Sequence, residues 1–416
     1  MIGKIPALRS SLAVAALRAR PNHFARSLKP MDESGAVSRR ATSPAPTINI
    51  LSFRFFTLLS RFFSRFSAPH IMPQVTLVPG NHVFDCGTEE PILTAALRAG
   101  LLIPYGCKNG ACGSCKGRVI DGEVVLGNYQ SSTLPELERM QGKTLFCVAR
   151  PVGDVTVEAR DVRKTGDVVI KTLPCRIEHL DRVVDDVMIM RFKLPANERL
   201  QFQAGQYVEF LLKDGKRRSF SMANAPHDDA LIELHLRHTP GGLFTDRVFS
   251  VTEPAMKVRD ILRIEGPHGS FFLRDESEKP VIMVASGTGF APIKAIIEHM
   301  FYTSNTRPIT LYWGGRRPKD LYLNHLAQAW AEKYPEQFTY VPVISDALPE
   351  DEWTGRTGFV HRAVMQDFAD LSMHQVYACG APIVIDSARH EFASQRQLPE
   401  DDFFADSFTL AATASI

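Results

Sequence analysis

Long apolar segments are absent from this sequence, and that absence excludes one class of protein. No stretch reaches the roughly 18 uninterrupted apolar residues that a membrane-spanning helix needs. Cysteine is also scarce, with seven in 416 residues, and only one pair has the C-x2-C spacing that structural zinc sites usually repeat. The formal net charge is only +2, and no nucleic-acid partner is expected. The length predicts several domains of roughly 100–200 residues each.

Four of the cysteines form the most informative pattern in the chain. Cys107, Cys112 and Cys115 have the spacing C-x4-C-x2-C, and Cys147 follows at a distance. This is the plant-type spacing for a [2Fe–2S] cluster, whose two irons need four thiolates. Neighbouring glycines are expected to permit positive φ and to let backbone N–H groups face sulfur; they are Gly106, Gly110 and Gly113. Zinc and disulfides are the alternatives, and the single C-x2-C pair disfavours zinc.

The sequence around these cysteines predicts short strands and helices. Strands are expected at Val75–Pro79, His82–Cys86 and Thr144–Val148, and a helix at Pro91–Gly100. Residues 73–160 resemble a plant-type ferredoxin of the β-grasp fold, as found fused in bacterial oxygenase reductases. The resemblance implies that the four cysteines hold one cluster, which carries one electron at a time.

The other cysteines bear on the cellular environment. Cys86 and Cys175 are interpreted as small buried apolar side chains, because free cysteine is among the most buried residue types. With four thiols assigned to a cluster, the composition favours a reducing environment over a disulfide framework. A cytoplasmic location is therefore predicted.

Residues 1–71 differ in composition from the rest. They contain eleven Lys or Arg and two acids, and residues 38–47 are rich in Ser, Pro and Ala, as disordered segments are. In the aromatic stretch Leu51–Phe66, three arginines share one helical face, as in a helix lying on an anionic membrane. The same arginines make it a poor signal peptide. The favoured interpretation is that this leader is not translated and the protein begins at Met72; the alternative is a membrane-surface segment, and membrane contact is expected only in that case.

Residues 165–275 have the pattern of an antiparallel β-barrel, with six short strand candidates separated by turns. The first candidate is Val168–Ile170. Two motifs in this region, Arg217–Asn224 and Gly241–Thr245, look like the flavin-binding motifs R-x-[FY]-S-[LM]-A and G-G-x-x-[ST] of the ferredoxin–NADP reductase superfamily. An ordinary strand with solvated arginines is the alternative.

This second resemblance implies an FAD site and roles for its residues. Arg218 would pair with the flavin phosphate, Phe220 would pack against the flavin, and Ser221 would hydrogen-bond near flavin N5. Gly242, with the start of a helix predicted at Leu243–Ser250, would present N–H groups to the pyrophosphate. The remaining expected FAD residues are Ser219, Gly241 and Thr245.

From residue 279 to 416, strand and helix patterns alternate, which predicts an α/β domain with a parallel sheet. Residues Gly287–Pro292 read GTGFAP, which differs from the common G-x-G-x-x-G fingerprint but resembles the GTGxAP nicotinamide-nucleotide motif of the same superfamily. The resemblance implies that NADH or NADPH binds here, through Gly287, Thr288, Gly289 and Pro292. The resemblance also implies that Cys379 and Gly380 lie beside the nicotinamide. They match the superfamily's C-G pair, which follows one of the last strands of the domain. Ser221 and Cys379 are thus the expected catalytic residues, with a buried strand-end thiol as the alternative for Cys379.

Two further features extend the expected binding sites. Arg316 or Arg317 would hold the 2′-phosphate of NADPH, or else this basic cluster is a solvated loop. The segment Phe404–Phe408 resembles the superfamily's closing segment, in which an aromatic residue covers the flavin. Phe408 is therefore an expected FAD residue, although residues 409–416 follow it.

The order of the three segments is similar to that in reductase components of phenol, toluene and xylene monooxygenases and in CDP-6-deoxy-Δ3,4-glucoseen reductase. This resemblance implies an NAD(P)H oxidoreductase that passes electrons through FAD and a [2Fe–2S] cluster to an oxygenase component or a sugar dehydrase. The cofactors would carry the chemistry, and the protein would position them. Two alternatives stay open: a flavin or ferric reductase acting on small acceptors, and a membrane-tethered redox subunit, which requires residues 1–71 to be made.

Overall fold

The computed structural model describes residues 72–164 and 169–408. The predictions for residues 1–71 and for the first residue of the strand at 168–170 lie outside this described part. No helix within it is long and apolar enough to span a bilayer. Three large β-sheets follow one another along the chain, and each has its own apolar core.

The first sheet contains the cysteine motif and has the strand order β2-β1-β8-β4-β6. Strands β1 and β8 are parallel, while the other neighbours are antiparallel. In β1, Val75 and Leu77 are fully buried, because alternate residues of a strand face the same side. The elements of this region are β1 (Gln74–Val78), β2 (His82–Asp85), α1 (Ile92–Arg98), β3 (Leu101–Leu102), β4 (Lys116–Asp121), β5 (Val124–Leu126), α2 (Glu136–Met140), β6 (Lys143–Leu145), β7 (Ala149–Pro151), β8 (Val155–Glu158) and β9 (Arg163–Lys164).

The second sheet is antiparallel, with the order β13-β12-β15-β10-β11-β14. A bridge between Met222 and Leu234 joins its two edges, so the sheet closes into the predicted barrel, whose interior is filled by aliphatic and aromatic side chains. Its elements are β10 (Lys171–Val184), β11 (Val187–Lys193), β12 (Tyr207–Leu211), β13 (Arg217–Ser221), β14 (Ile232–Arg237), α3 (Thr245–Val248) and β15 (Ile261–His268).

The third sheet is fully parallel, with the order β19-β18-β17-β16-β20-β21. Separate apolar clusters cover its two faces, as expected for an α/β domain. Its elements are β16 (Val281–Ser286), α4 (Phe290–Tyr302), β17 (Ile309–Gly315), α5 (Asn324–Lys333), β18 (Phe338–Ile344), β19 (Arg356–Thr357), α6 (Val360–Asp367), β20 (Gln375–Gly380), α7 (Pro382–Arg396) and β21 (Phe403–Ser407).

Three predictions of secondary structure differ from the structure. The strand predicted at Thr144–Val148 ends at Leu145, because the chain then turns so that Phe146 can donate its N–H to the Cys115 carbonyl at 3.1 Å. Val169 and Ile170 are not in a strand and are exposed. The helix predicted at Leu243–Ser250 is confined to Thr245–Val248, since a tight turn around Gly241 precedes it.

Candidate functional site

The four predicted cluster ligands lie together, with Cys147 brought to the loop by the turn after β6. Cys112, Cys115 and Cys147 are buried, Cys107 is partly exposed, and all four thiols are free. The N–H groups of Ala111 and Cys112 donate to Cys107 Sγ at 3.4 and 3.3 Å, respectively, and the Cys107 N–H donates to Cys112 Sγ at 3.4 Å. Amides that point at sulfur stabilise thiolates and tune a bound metal centre.

The pKa values of the thiols show how closely they are packed. A hydrogen bond from Cys107, with others from Ser114, lowers the pKa of Cys112 below its ordinary value. Contact with Cys147, together with burial, raises the pKa of Cys115. Several thiolates in one buried place repel one another unless a cation neutralises them. The arrangement therefore fits a [2Fe–2S] cluster held by these four cysteines.

The glycines of the loop act in two different ways. Gly110 and Gly113 have φ of +77° and +72°, respectively, as predicted. The prediction of positive φ for Gly106 is wrong. A Cβ there would lie 3.0 Å from Asp406 Oδ1 and 3.5 Å from Cys112 Sγ, so this glycine permits a close approach of the loop to β21.

A cavity of about 220 Å³, which we name the inner cavity, connects the cluster loop to the flavin motif. The loop contributes Gly106–Cys107 and Asn109, β13 contributes Arg217–Ser221, and the end of the described chain contributes Asp406–Phe408. Strand alternation puts Arg218 and Phe220 on one face of β13 and the buried Ser221 on the other. The tertiary structure thus brings residues of three distant segments to one place.

Two buried polar atoms on residues of the inner cavity have no protein partner among the described residues. They are Asn109 Oδ1 and Ser407 Oγ. Buried polar atoms are normally hydrogen-bonded, so an unpaired pair indicates a missing ligand. A flavin ring offers both N–H donors and carbonyl acceptors, and the cavity fits FAD in this respect.

Asp406 is a site residue that the sequence analysis missed. Its Oδ2 accepts a hydrogen bond from Ser221 Oγ at 3.3 Å, across 185 positions of sequence. Burial, with the nearby Cys112 thiolate, raises the pKa of Asp406 to about 7. The signal in the sequence is its place in Phe404–Phe408, the segment that resembles the superfamily's closing segment. Phe408 does line the cavity, and its N–H donates to Gly380 O at 2.8 Å.

The second flavin motif forms a tight turn next to β13. Gly241 has φ of +78°, and a Cβ on Gly242 would lie 2.5 Å from Thr245 Oγ1. The Thr245 hydroxyl donates to Thr239 O at 3.0 Å, so it stabilises the turn itself. Phe244, which follows the glycines, packs on Phe220 with ring centroids 5.2 Å apart. The two motifs are therefore adjacent, although the turn does not line the inner cavity.

A cavity of about 530 Å³, the nucleotide cavity, lies at the carboxyl ends of the parallel strands, where open α/β sheets bind ligands. Gly287 lines it, with φ of +54°. The other GTGFAP residues serve packing instead: Thr288 and Pro292 are buried, and a Cβ on Gly289 would lie 2.1 Å from Cys379 O.

The arginines near this cavity differ in their protein partners. Arg316 lines the cavity, whereas Arg317 pairs with Asp351 at 2.8 Å. Arg237, which the sequence analysis did not select, ends barrel strand β14 and lines the same cavity, where two aspartates lie 3.2 and 3.6 Å from its guanidinium. A Cβ on Gly287 would lie 3.1 Å from its Nη1, so Arg237 lies against the glycine-rich turn.

Cys379 lies in the apolar core. It is the penultimate residue of β20 and is fully buried in an apolar cluster of the parallel sheet, and burial raises its pKa well above the ordinary value. Gly380, with φ of +138°, lets β20 approach β16, because a Cβ there would lie 2.6 Å from Ser286 O. The nicotinamide role expected for this pair stays a prediction.

A third space reaches the cluster loop from a different side. This outer groove, of about 610 Å³, is lined by Cys112 and Gly113 of the loop and by charged residues of the first and third sheet regions. The charged residues are Lys116, Glu138, Lys143, Arg160, Asp386, Arg389 and Glu400.

Comparison with known proteins gives the same three parts in the same order. Residues 75–152 match the 2Fe-2S iron-sulfur cluster binding domain, residues 174–273 the oxidoreductase FAD-binding domain, and residues 283–390 the oxidoreductase NAD-binding domain. The predicted fold class and the predicted [2Fe–2S], FAD and NAD(P)H cofactors are thereby confirmed.

Relatives match over nearly their whole length. The chain is 37% identical to a CDP-6-deoxy-L-threo-D-glycero-4-hexulose-3-dehydrase reductase of Yersinia pseudotuberculosis, over 80% of this chain and 98% of the relative. It is 35% identical to reductase component 1 of terephthalate 1,2-dioxygenase from Comamonas, over 82% and 99% of the two chains, respectively. The crystal structure of the Amycolatopsis cytochrome P450 reductase GcoB aligns with a TM-score of 0.65 at 32% identity, over 82% of this chain and 99% of that one.

Proposed function

Because this chain belongs to the family of iron–sulfur flavoprotein reductases, we propose the residues and surfaces through which it performs the family's reaction. Members pass electrons from NAD(P)H through FAD and a [2Fe–2S] cluster to an oxygenase or dehydrase component, and this chain is such an NAD(P)H oxidoreductase. When bound, the flavin accepts electrons in pairs, and the cluster accepts and releases them singly. The proposals below concern what the protein's own residues contribute.

The inner cavity is the proposed site of electron transfer between the two bound groups. The observation that carries this proposal is that one cavity is lined both by Arg218 and Ser221 of the flavin motif and by the ligand Cys107. Arg218 would hold the flavin phosphate, Phe220 would pack on the flavin, and Ser221 would be held in place by Asp406.

The nucleotide cavity is the proposed NAD(P)H site. Gly287 allows a ligand phosphate to approach the backbone at the start of a helix, and the guanidinium of Arg237, which also pairs with two aspartates, lies beside it. We assign recognition of a 2′-phosphate to Arg316, because Arg317 is already paired with Asp351. Arg316→Ala is expected to lower kcat/KM for NADPH about tenfold relative to NADH, the effect of one lost charged contact. Arg317→Ala is the matched control; a larger change in that variant would reject the assignment.

The outer groove is the proposed docking side for the partner protein, an oxygenase component or a dehydrase. It reaches Cys112, whereas the inner cavity reaches Cys107. Electrons would thus enter the cluster from the flavin side and leave toward the groove. The exposed apolar residues Leu137 and Met140 lie on α2, near the groove residues Pro135 and Glu138. Exposed apolar side chains next to charged ones are typical of protein interfaces.

Cys112→Ser tests the order of the electron path. Serine is a much poorer ligand than thiolate, so the cluster should be lost or destabilised while FAD is retained. NAD(P)H reduction of ferricyanide, a small acceptor that the flavin can serve, should continue. Reduction of cytochrome c, a one-electron protein acceptor, should fall steeply. Cys175→Ser, at a buried cysteine of the barrel, is the control and should keep both activities. Equal loss of both activities in a Cys112→Ser protein that still holds FAD contradicts the proposed order.

A further inference from the structure

Tyr207 lies between the flavin motif and the cluster loop, with its backbone in the barrel and its side chain packed against the first sheet region. It opens barrel strand β12, where its backbone pairs with Ser221 on one side and His268 on the other. Its side chain, however, packs in the apolar core of the first sheet region, where it is the sole barrel residue among the buried members of the described cluster. It is only 4% exposed and lines the inner cavity.

The Tyr207 hydroxyl fixes the backbone at the first cluster ligand. It donates a hydrogen bond to Gly106 O at 2.9 Å, and this carbonyl belongs to the peptide bond that leads into Cys107. On its other side, Gly106 lies against Asp406 and Cys112 without room for a Cβ. The peptide that begins the ligand loop is therefore held between the barrel and β21.

The ring of Tyr207 is held as firmly as its hydroxyl. A Cβ on Gly269 would lie 2.9 Å from Tyr207 Cδ1, so the chain is packed directly on one ring edge. The His268 ring lies 5.5 Å away, and Lys108 Nζ is 5.8 Å from the ring centroid. Burial raises the pKa of Tyr207 well above its ordinary value, so the hydroxyl remains a donor throughout the neutral range.

We propose that Tyr207 is a positioning residue for electron transfer, which sets the separation and orientation of the Cys107 loop relative to the bound flavin through its hydrogen bond to Gly106. The proposal rests on the function proposed for the inner cavity. Electron transfer slows as donor and acceptor separate, so the position of the ligand loop relative to the bound flavin bears directly on its rate. A single buried hydrogen bond on the ligand loop can therefore control this step without touching the reacting atoms.

Tyr207→Phe in the cofactor-loaded protein is the direct test, because it removes only the hydroxyl. After rapid mixing with NADH, the absorbance phase of flavin reduction should stay within about twofold of the wild type, while the phase of cluster reduction should slow by a clearly larger factor. Independently of turnover, hydrogen–deuterium exchange of peptides covering residues 104–115 should become about tenfold faster. The electron paramagnetic resonance spectrum of the reduced cluster should also broaden. Tyr377→Phe is the matched control, since its buried hydroxyl donates to Gln375 Oε1 at 3.0 Å, accepts from the Arg274 N–H at 2.9 Å and makes no hydrogen bond to the cluster loop within the described residues.

A second variant keeps the test decisive if Tyr207→Phe loses its cluster. Para-aminophenylalanine at position 207 retains a donor of similar reach, so it should restore both the exchange protection and the cluster phase. Unchanged exchange and unchanged cluster reduction in Tyr207→Phe overturn the proposal, as does slowing confined to the flavin phase. If the wild type itself passes no electrons from flavin to cluster, the proposed function fails, whereas the exchange comparison still decides the role of the Tyr207 contact.

Discussion

At the inner cavity the cluster loop meets the barrel through buried groups, whereas at the outer groove the same loop faces partly exposed charges. In the inner cavity, the buried Tyr207 hydroxyl donates to Gly106 O at 2.9 Å. Just before Gly106 in the chain, the Tyr105 N–H donates to Ser270 Oγ at 2.8 Å, and the Ser270 hydroxyl donates back to Tyr105 O at 3.1 Å. On the groove side, Lys116 pairs with Glu138 at 2.6 Å, with side chains 21% and 37% exposed, respectively.

This difference indicates two kinds of junction. Removing one partner of a buried hydrogen bond leaves the other without water, so such bonds specify one geometry. Exposed ion pairs rearrange at little cost, because water and salt replace either partner. The inner cavity is thus suited to a fixed electron-transfer distance, and the outer groove to a partner that binds and leaves.

The largest expected effect is on the barrel side, in Arg218→Ala. Loss of the proposed phosphate contact should weaken FAD binding by about 2 kcal/mol, or about 30-fold, and both ferricyanide and cytochrome c reduction should disappear from the purified protein. The cluster absorbance should persist, since its ligands lie in another sheet region. Retained FAD in titrations would refute the assigned role. Lys216→Ala, at an exposed neighbour paired with Asp214, should change nothing.

The next effect is a dependence of stability on pH that originates at His268. Burial, together with the charge of Lys108, lowers the pKa of His268 to about 4. Between the unfolded value near 6.5 and this folded value, the unfolded state binds a proton that the folded state does not. Stability is therefore complete above about pH 6.5 and falls by on the order of 2 kcal/mol as the pH drops toward 4. His268→Gln should lose this part of the dependence in denaturant titrations at pH 5 and 7.5; parallel curves for the two proteins would show that His268 is not its source.

A smaller effect is expected for Ser270→Ala at the same junction. The variant leaves the buried Tyr105 N–H without its partner, which should lower the free energy of unfolding by about 1.5 kcal/mol. It should also speed hydrogen exchange in the segment before Cys107. Ser277→Ala serves as the comparison, because that hydroxyl lies in a turn near Lys279. If both variants lose the same free energy of unfolding, the buried contact at Ser270 contributes no more to stability than the surface turn at Ser277.

The smallest effect is expected at the outer groove, in Glu138→Gln. Loss of this partly exposed pair should change the free energy of unfolding by less than about 0.5 kcal/mol, and reduction of flavin and cluster by NADH should be unaffected. Cytochrome c reduction, however, should change its dependence on ionic strength, since a charge at the proposed docking side has been removed. If Glu138→Gln lowers the free energy of unfolding by several kcal/mol, the ion pair at the outer groove stabilises the fold as strongly as the buried contacts on the barrel side.

Local patterns in the sequence were sufficient to predict the three folds and the kinds of cofactor. The C-x4-C-x2-C spacing, the alternating barrel strands and the strand–helix alternation each reflect short-range constraints of backbone geometry and ligand spacing. The same local rules failed where a long-range contact decides the conformation. Gly106 is a glycine because Asp406 lies against it, and the strand before Cys147 stops early because the ligand must face the loop.

The sequence by itself determined which cofactors the chain is built for, because ligand type and spacing are properties of adjacent residues. Only the tertiary structure decided which residues meet. It joined Ser221 to Asp406, brought Arg237 of the barrel to the glycine-rich turn of the nucleotide domain, and separated Arg316 from the paired Arg317. Those contacts join positions up to 185 residues apart, and their partners are selected by the packing of whole sheets rather than by any pattern along the chain.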